Sequence, residues 1–344
     1  MLVVIAPDGF GGTLTSRAAA EAIAAGWRRG APAHELLLRP LADGGPGFVP
    51  VLHGALGGEV HQVQVSGPLG DLVDASWLLV GETAYLESAE AAGLHLVPAD
   101  RRAGVCETTT TRGVGELVAA AVTAGARRVV VGLGGSATTD GGAGLIDGLG
   151  ALDLSGVRLV AAADVENPLL GPHGAAVVFG PQKGADPAAV ARLEARLAGW
   201  ADELAARTGR DPRGHPGAGA AGGLGFALLA LGAEVTSGAG LVAGATGLAA
   251  AVARAGLAVT GEGSFDWQSL RGKLVTAVAG AAAERGVPCL VLAGQVSVGR
   301  RQAASAGVAE AHSAAEHAGS VAAALADPAG TLADLAEHVA RQWR

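Results

Sequence analysis

The sequence predicts an α/β protein organised on a parallel sheet, and three observations lead there. Short apolar runs such as Leu2–Ala6 and Cys289–Ala293 end in glycine-rich or acidic loops and then in helical stretches, the texture of βα units with strands buried on both faces. Glycine numbers 56 while aromatic residues make up only 3%, so packing must rely on small and aliphatic side chains at close backbone approach. The chain has 344 residues, 50% of them hydrophobic, which is more than one core usually holds and enough for two.

In order along the chain, Leu2–Ala6 reads as a buried strand that breaks at Pro7-Asp8-Gly9 before a helix carrying Ala19, Ala20, Ile23 and Trp27 on one side. Glu35–Pro40 is a second strand, ending in Asp43-Gly44-Gly45 ahead of another helix. From Glu59 the pattern becomes alternating: His61–Val65, Ala75–Val80 and Thr83–Glu87, separated by turns, read as antiparallel strands. A helix from Gly113 leads to the strand Val129–Val131, and Arg158–Ala163 and Ala175–Phe179 read as further strands before the helix Pro187–Arg207. The βα texture returns with strands at Leu257–Thr260, Cys289–Ala293 and Val308–His312. Two strands at the start and three at the end match a five-stranded flavodoxin-like parallel sheet, formed by residues 1–58 and 254–344, with 59–253 as an inserted mixed α/β domain. In such a sheet ligands bind at the carboxyl ends of the strands, where Asp8 and Glu262 would face each other across the switch point.

Net charge is −8 and no basic stripe or interleaved aromatic run is present, which argues against a nucleic-acid partner. Cys106 and Cys289 lie far apart without a CxxC or His-rich context, so neither a disulfide framework nor a zinc site is expected. Met1 runs straight into an apolar strand without a basic n-region, and Gly238–Ala253 is too poor in Leu, Ile and Phe for a membrane span; a soluble, cytoplasmic protein is expected.

The richest candidate for chemistry is Gly132-Leu-Gly-Gly-Ser-Ala-Thr-Thr-Asp-Gly-Gly-Ala-Gly144, where a buried strand turns into a helix. Glycines open backbone N–H groups to a ligand, and a helix N-terminus adds positive partial charge, so the segment suits an anion such as phosphate. Gly134, Gly135, Ser136 and Asp140 are the residues placed for this. Gly217-Ala-Gly-Ala-Ala-Gly222 is a formal GxGxxG, but Asp211-Pro-Arg-Gly-His-Pro precedes it in place of a strand, so it reads as a close-packed helix start and not as a dinucleotide fingerprint. Walker A, Gly-x-Ser-x-Gly and His-Glu-x-x-His motifs are missing from the sequence. Of 24 basic residues only Lys183 and Lys273 are lysines, both in glycine-flanked turns, where a compact ammonium suits a phosphate oxygen.

These stretches, together with Ala6-Pro-Asp8, Leu41-Ala-Asp-Gly-Gly45, Asp164-Val-Glu-Asn-Pro168, Phe179-Gly-Pro-Gln-Lys-Gly184, Pro216–Gly223 and Thr260-Gly-Glu-Gly263 with Asp266, Gln268-Ser269 and Gly272-Lys273, make the chain resemble the type I glycerate kinase family over nearly its whole length. The resemblance implies ATP- and Mg²⁺-dependent phosphorylation of glycerate to 2-phosphoglycerate, in a cleft between the two domains. It implies Asp43, Asp266 and Lys273 as catalytic residues and Asp164 as the metal ligand. For substrate and phosphates it implies Asp8, Gly44, Gly45, Gly134, Gly135, Ser136, Asp140, Asn167, Lys183, Glu262, Gln268 and Ser269. The partners implied are a small hydroxy acid and a nucleotide, with homo-oligomerisation allowed. The chain departs from the family's usual Ala-Pro-Asp-Ser-Phe-Lys-Gly at Gly9 and Gly11, from Asp-Gly-Gly-Glu-Gly-Thr at Pro46 and Phe48, and from Gly-Glu-Gly-Arg at Ser264. Two cations and a carboxylate are thereby lost, so weakened catalysis is expected, with a non-catalytic ligand-binding relative or a kinase of another hydroxy acid as the competing readings.

Overall fold

Numbered along the chain, the strands are β1 (Leu2–Ile5), β2 (Glu35–Leu38), β3 (Glu59–Ser66), β4 (Leu72–Val80), β5 (Thr83–Glu87), β6 (Arg128–Gly132), β7 (Arg158–Ala162), β8 (Glu234–Thr236), β9 (Leu257–Thr260), β10 (Ser264–Phe265), β11 (Cys289–Ala293), β12 (Gln295–Val296) and β13 (Glu310–Ser313). The structure, a computed structural model, describes residues 1–270 and 274–343.

One compact unit comprises Met1–Asp43 and Ala239–Arg344. Its sheet runs β13-β11-β9-β1-β2 with every pairing parallel. Counted within this sheet the order is the 2-1-3-4-5 of the flavodoxin type, whose switch point lies between the first and third strands. Burial fixes the register: Val4 lies opposite Leu37 on one side and Ala258 on the other, and Val3, Val4 and Ile5 are fully enclosed. The helix Ser16–Gly30, capped by the Thr15 side chain, packs Ile23 and Trp27 onto this sheet beside Leu335 and Val339 of the helix Pro328–Ala340. The two helices meet through small residues. A Cβ on Gly26 would lie 1.8 Å from the Ala333 carbonyl oxygen.

The other unit is Gly44–Gly238. Its six strands lie in sequence order, β3-β4-β5-β6-β7-β8. The pairs β3/β4 and β4/β5 are antiparallel and the rest parallel, so the sheet is mixed. Trp77, Leu86, Leu117, Val131, Leu145 and Phe226 belong to its core.

The units part at Asp43/Gly44 and Gly238/Ala239, whereas the sequence texture changes near residues 58 and 253. The helix Phe48–Leu56 accounts for the first difference: it packs on β4 and β5, with the Phe48 and Tyr85 rings edge to face at 6.4 Å. Ala175–Phe179, expected as a strand, is a short helix that packs on the helices Pro187–Thr208 and Ala220–Ala230. A brief apolar run bounded by glycines does not by itself distinguish strand from buried helix. The short strand β8 fills the edge beside β7 instead. No helix among the described residues is long and apolar enough to cross a membrane.

Candidate functional site

Candidate site residues fall in two sets, one in each unit. In the flavodoxin-like unit, the loops at the carboxyl ends of β1, β9 and β11 border a cavity of about 450 Å³. Asp8 and Glu262, expected to face one another across the switch point, both line it, as do Asp266, Thr13 and Gln295. The Asp8 N–H donates to the Gly261 carbonyl at 2.8 Å, tying the two loops together. Asp8 Oδ1 accepts the Gly9 N–H at 2.7 Å. Asp266 is held by the turn that follows it: its Oδ1 accepts the Gln268 N–H at 2.7 Å, and its own N–H donates to the Ser269 hydroxyl at 3.2 Å. Ser269 is buried and Gln268 exposed, so Ser269 shapes the loop while Gln268 faces outward. Gly11 and Ser264, two positions where the family's usual cations are replaced, line this same cavity. Asp43 closes the first segment of the unit, half-buried after β2. Lys273, implied as catalytic, lies outside the described residues.

In the mixed-sheet unit, the Gly132–Gly144 loop follows β6, and its glycines serve packing as much as exposure. A Cβ on Gly134 would lie 2.4 Å from the Gly45 Cα, and one on Gly132 would lie 2.4 Å from the Gly44 carbonyl oxygen. The Gly134 N–H donates to Gly44 O at 3.1 Å, and the Leu133 and Ala137 N–H groups donate to Ala162 and Ala92. Much of the expected anion nest is therefore spent inside the fold. Gly135, at φ +72°, remains exposed at the tip. Asp140 is a clamp: its Oδ2 accepts from the Thr111 N–H and hydroxyl, each at 2.8 Å, and from Gly144 N–H, while Oδ1 accepts from Gly142 N–H. Asn167 donates from Nδ2 to the His173 carbonyl at 2.8 Å, closing its own loop. Asp164 Oδ1, just beyond β7, accepts from the Ser237 hydroxyl at 2.6 Å. Among the described residues no group of three His, Cys, Asp or Glu stands ready to hold a metal.

Lys183, expected to face phosphates, lies deep inside beside Ser136. It is only 3% exposed, and its Nζ donates to the Ser136 hydroxyl at 3.0 Å and to the Thr138 carbonyl at 2.6 Å. Burial pulls its pKa down to about 7 against the opposing attraction of Asp140. The amine therefore fixes the middle of the loop from behind.

Glu87 escaped the sequence reading. It ends β5, is 3% exposed, and its Oε2 accepts the Gly47 N–H at 3.0 Å, capping the start of the Phe48–Leu56 helix. Burial, helped by Glu90, pushes its pKa up to about 8, although backbone N–H groups of Gly47, Val49 and Phe48 pull the other way. The signal was present in the sequence: an acidic residue directly after an apolar strand, as at Asp8 and Asp164.

A family model described as the glycerate kinase family matches residues 3–155 and 151–344. A Mycobacterium bovis protein of uncharacterised function is 52% identical over 99% of this chain and 91% of its own length. A glycerate 2-kinase from Escherichia coli K12 is 39% identical over 86% of each chain. A crystal structure from Salmonella typhimurium LT2, provisionally described as glycerate kinase 2, superposes with a TM-score of 0.78 at 35% identity, covering 100% of this chain and 98% of the other.

Proposed function

Because the chain belongs to the glycerate kinase family, we propose that it transfers the γ-phosphoryl group of ATP to glycerate, giving 2-phosphoglycerate and ADP. The observation that carries this reading is the span of the family match, which takes in both units and every candidate loop. The 2-position rests on the relative named glycerate 2-kinase.

In this reading a glycerate hydroxyl oxygen bonds to the γ-phosphorus as the bond to the ADP oxygen breaks, and the hydroxyl proton passes to a carboxylate. Asp43 or Asp266 is proposed for that proton, Asp266 having its orientation set by Gln268 and Ser269. Lys273 and the exposed tip at Gly135 are proposed phosphate contacts. Lys183, bonded to Ser136 and Thr138, is proposed to hold the tip in shape. Mg²⁺ would supply charge neutralisation on the phosphates. Such an ion ordinarily takes one or two protein carboxylates and completes its shell with phosphate oxygens and water, so Asp164, or the cavity carboxylates Asp8, Glu262 and Asp266, fit it without a three-residue cluster. A cytoplasmic location, where ATP is plentiful, follows from the same reading.

Purified protein supplied with D-glycerate, ATP and MgCl₂ is expected to release ADP in a coupled assay, slowly, because Gly11 and Ser264 bring no cation to the cavity. Turnover no greater than that of a Lys183→Ala, Lys273→Ala control would overturn the proposal. A panel of other hydroxy acids separates a change of substrate from a loss of activity.

A further inference from the structure

Two loops of the mixed-sheet unit meet at Glu87. It ends β5 in parallel register with Gly132, the last residue of β6, so its side chain and the Gly132–Gly144 loop leave the carboxyl ends of neighbouring strands. Its Oε2 accepts the Gly47 N–H at 3.0 Å, and the Phe48 and Val49 N–H groups of the first helical turn also attract the carboxyl group. The Gly44–Gly47 loop held in this way braces the tip of the other loop: Gly44 O accepts the Gly134 N–H at 3.1 Å, and a Cβ on Gly135 would lie 2.7 Å from Cδ of Pro46. The main chain that follows Glu87 holds the same tip from another side, since the Ala137 N–H donates to Ala92 O and the Leu94 N–H to Gly135 O, each at 2.8 Å. Pro46 has no N–H and Gly135 no side chain, so neither can fix the tip through a polar contact of its own side chain.

We propose that Glu87 is a positioning residue for phosphoryl transfer, fixing the Gly44–Gly47 loop and with it the Gly134–Gly135 tip in the shape that receives a phosphate. This rests on the kinase reading, in which the exposed tip contacts phosphate, and adds to it the group that sets the tip from beneath. Donors fixed before the ligand arrives cost no ordering when it binds. Glu87 is 3% exposed, so it acts through the loop and not on the substrate. With its pKa pushed up to about 8 it is chiefly the neutral acid at pH 7, so its hold on the loop depends on its length and its acceptor oxygen, not on a charge.

The test compares, in the full chain, Glu87→Gln, which keeps the length and an acceptor oxygen, with Glu87→Ala, which keeps neither. Glu87→Asp draws the carboxyl group back by one methylene and serves the same comparison if the alanine variant does not fold. The control is Glu116→Ala, which removes a carboxylate that accepts the Ser66 N–H at 2.7 Å and the Ser66 hydroxyl at 2.9 Å elsewhere in the unit. Glu87→Ala is expected to raise the KM for ATP about tenfold with kcat within about twofold of the parent, and Glu87→Gln to stay within about threefold on both. The control should lower the melting temperature and leave both constants in place. Amide hydrogen exchange read by mass spectrometry needs no turnover: residues 133–137, protected by bonds to Gly44 and Ala92, should exchange faster in Glu87→Ala and at the parent rate in Glu87→Gln and the control. An unchanged KM for ATP in Glu87→Ala would overturn the positioning role, and a glutamine variant as impaired as the alanine one would show that Glu87 works through its charge instead. Parental exchange of 133–137 in Glu87→Ala would overturn the brace whatever the activity. A parent that releases no ADP with D-glycerate would overturn the kinase reading, with the exchange rates still deciding whether Glu87 holds the tip.

Discussion

Two buried titratable groups give the mixed-sheet unit an unusual dependence on pH. Glu87 has its pKa raised from 4.5 to about 8, so in that window the native state keeps a proton the unfolded state has lost, and stability falls as pH rises. Lys183 has its pKa lowered from 10.5 to about 7, so in its window the unfolded state holds the extra proton and stability rises with pH. The two contributions together place a minimum between pH 7 and 8, with limbs no steeper than about 1.4 kcal/mol per pH unit for each group. Melting curves of Glu87→Gln should lack the falling limb, and those of Lys183→Met the rising one; limbs unchanged from the parent would refute these pKa assignments. Gly11 poses a different question. It lines the cavity at φ +50°, and a Cβ there would meet none of the described residues within 4 Å. Gly11→Lys therefore has room, at a backbone cost of about 1 kcal/mol. Restoring the charge is expected to raise kcat/KM by about one to two orders of magnitude. Ser264→Arg, in a strand and without that backbone cost, should act in the same direction; an unchanged kcat/KM in both variants would show that the missing cations do not limit the rate.

At the scale of elements, helix propensity and tertiary packing make opposite forecasts for Gly26. In an isolated helix Gly→Ala adds about 1 kcal/mol of stability. Here the new Cβ would lie 1.8 Å from the Ala333 carbonyl oxygen and 2.6 Å from its carbon, and backbone can yield only by separating the helices. Gly26→Ala is expected to destabilise by about 1–3 kcal/mol or more, read as a lower denaturation midpoint. Arg29, which donates to Glu337 at 2.5 Å and to Asp334 at 2.8 Å across the same pair, is an exposed contact of smaller weight. Its replacement by Met should shift the midpoint far less. Equal shifts would mean that charge, not close approach, holds the pair.

Over the whole molecule, each unit carries one cysteine and both are buried. Cys289 sits in β11 with its thiol pushed up to about 12 by burial, and Cys106 is also raised by burial, with the nearby Glu107 adding to it. Since the thiolate is the reactive form, neither should be alkylated by iodoacetamide in the native chain, and each should become labelled when its own unit opens. Mass spectrometry along a denaturant series would then give an unfolding midpoint for each unit. Gly26→Ala should lower the midpoint reported by Cys289. Native-state labelling of Cys289 at the rate of a free thiol would contradict the enclosed sheet.

The strands of the flavodoxin-like sheet were legible because buried runs such as Leu2–Ile5 and Cys289–Ala293 are apolar throughout and bounded by glycine or acidic loops. Their carboxyl-end residues, Asp8 and Glu262, could be assigned to one place because five βα strands match the flavodoxin-type order, whose switch point lies between the first and third strands. Ala175–Phe179 was not legible as a helix, and the Phe48–Leu56 helix was legible as a helix but not as part of the mixed-sheet unit, since a short apolar segment takes whichever partner the surrounding fold presents. The sequence likewise offers glycines, hydroxyls and a lysine around residues 132–144 and 183. Only tertiary packing sets the Gly134 N–H against Gly44, turns Asp140 inward and encloses Lys183, because burial and hydrogen-bond partners depend on what lies across space and not on neighbours along the chain.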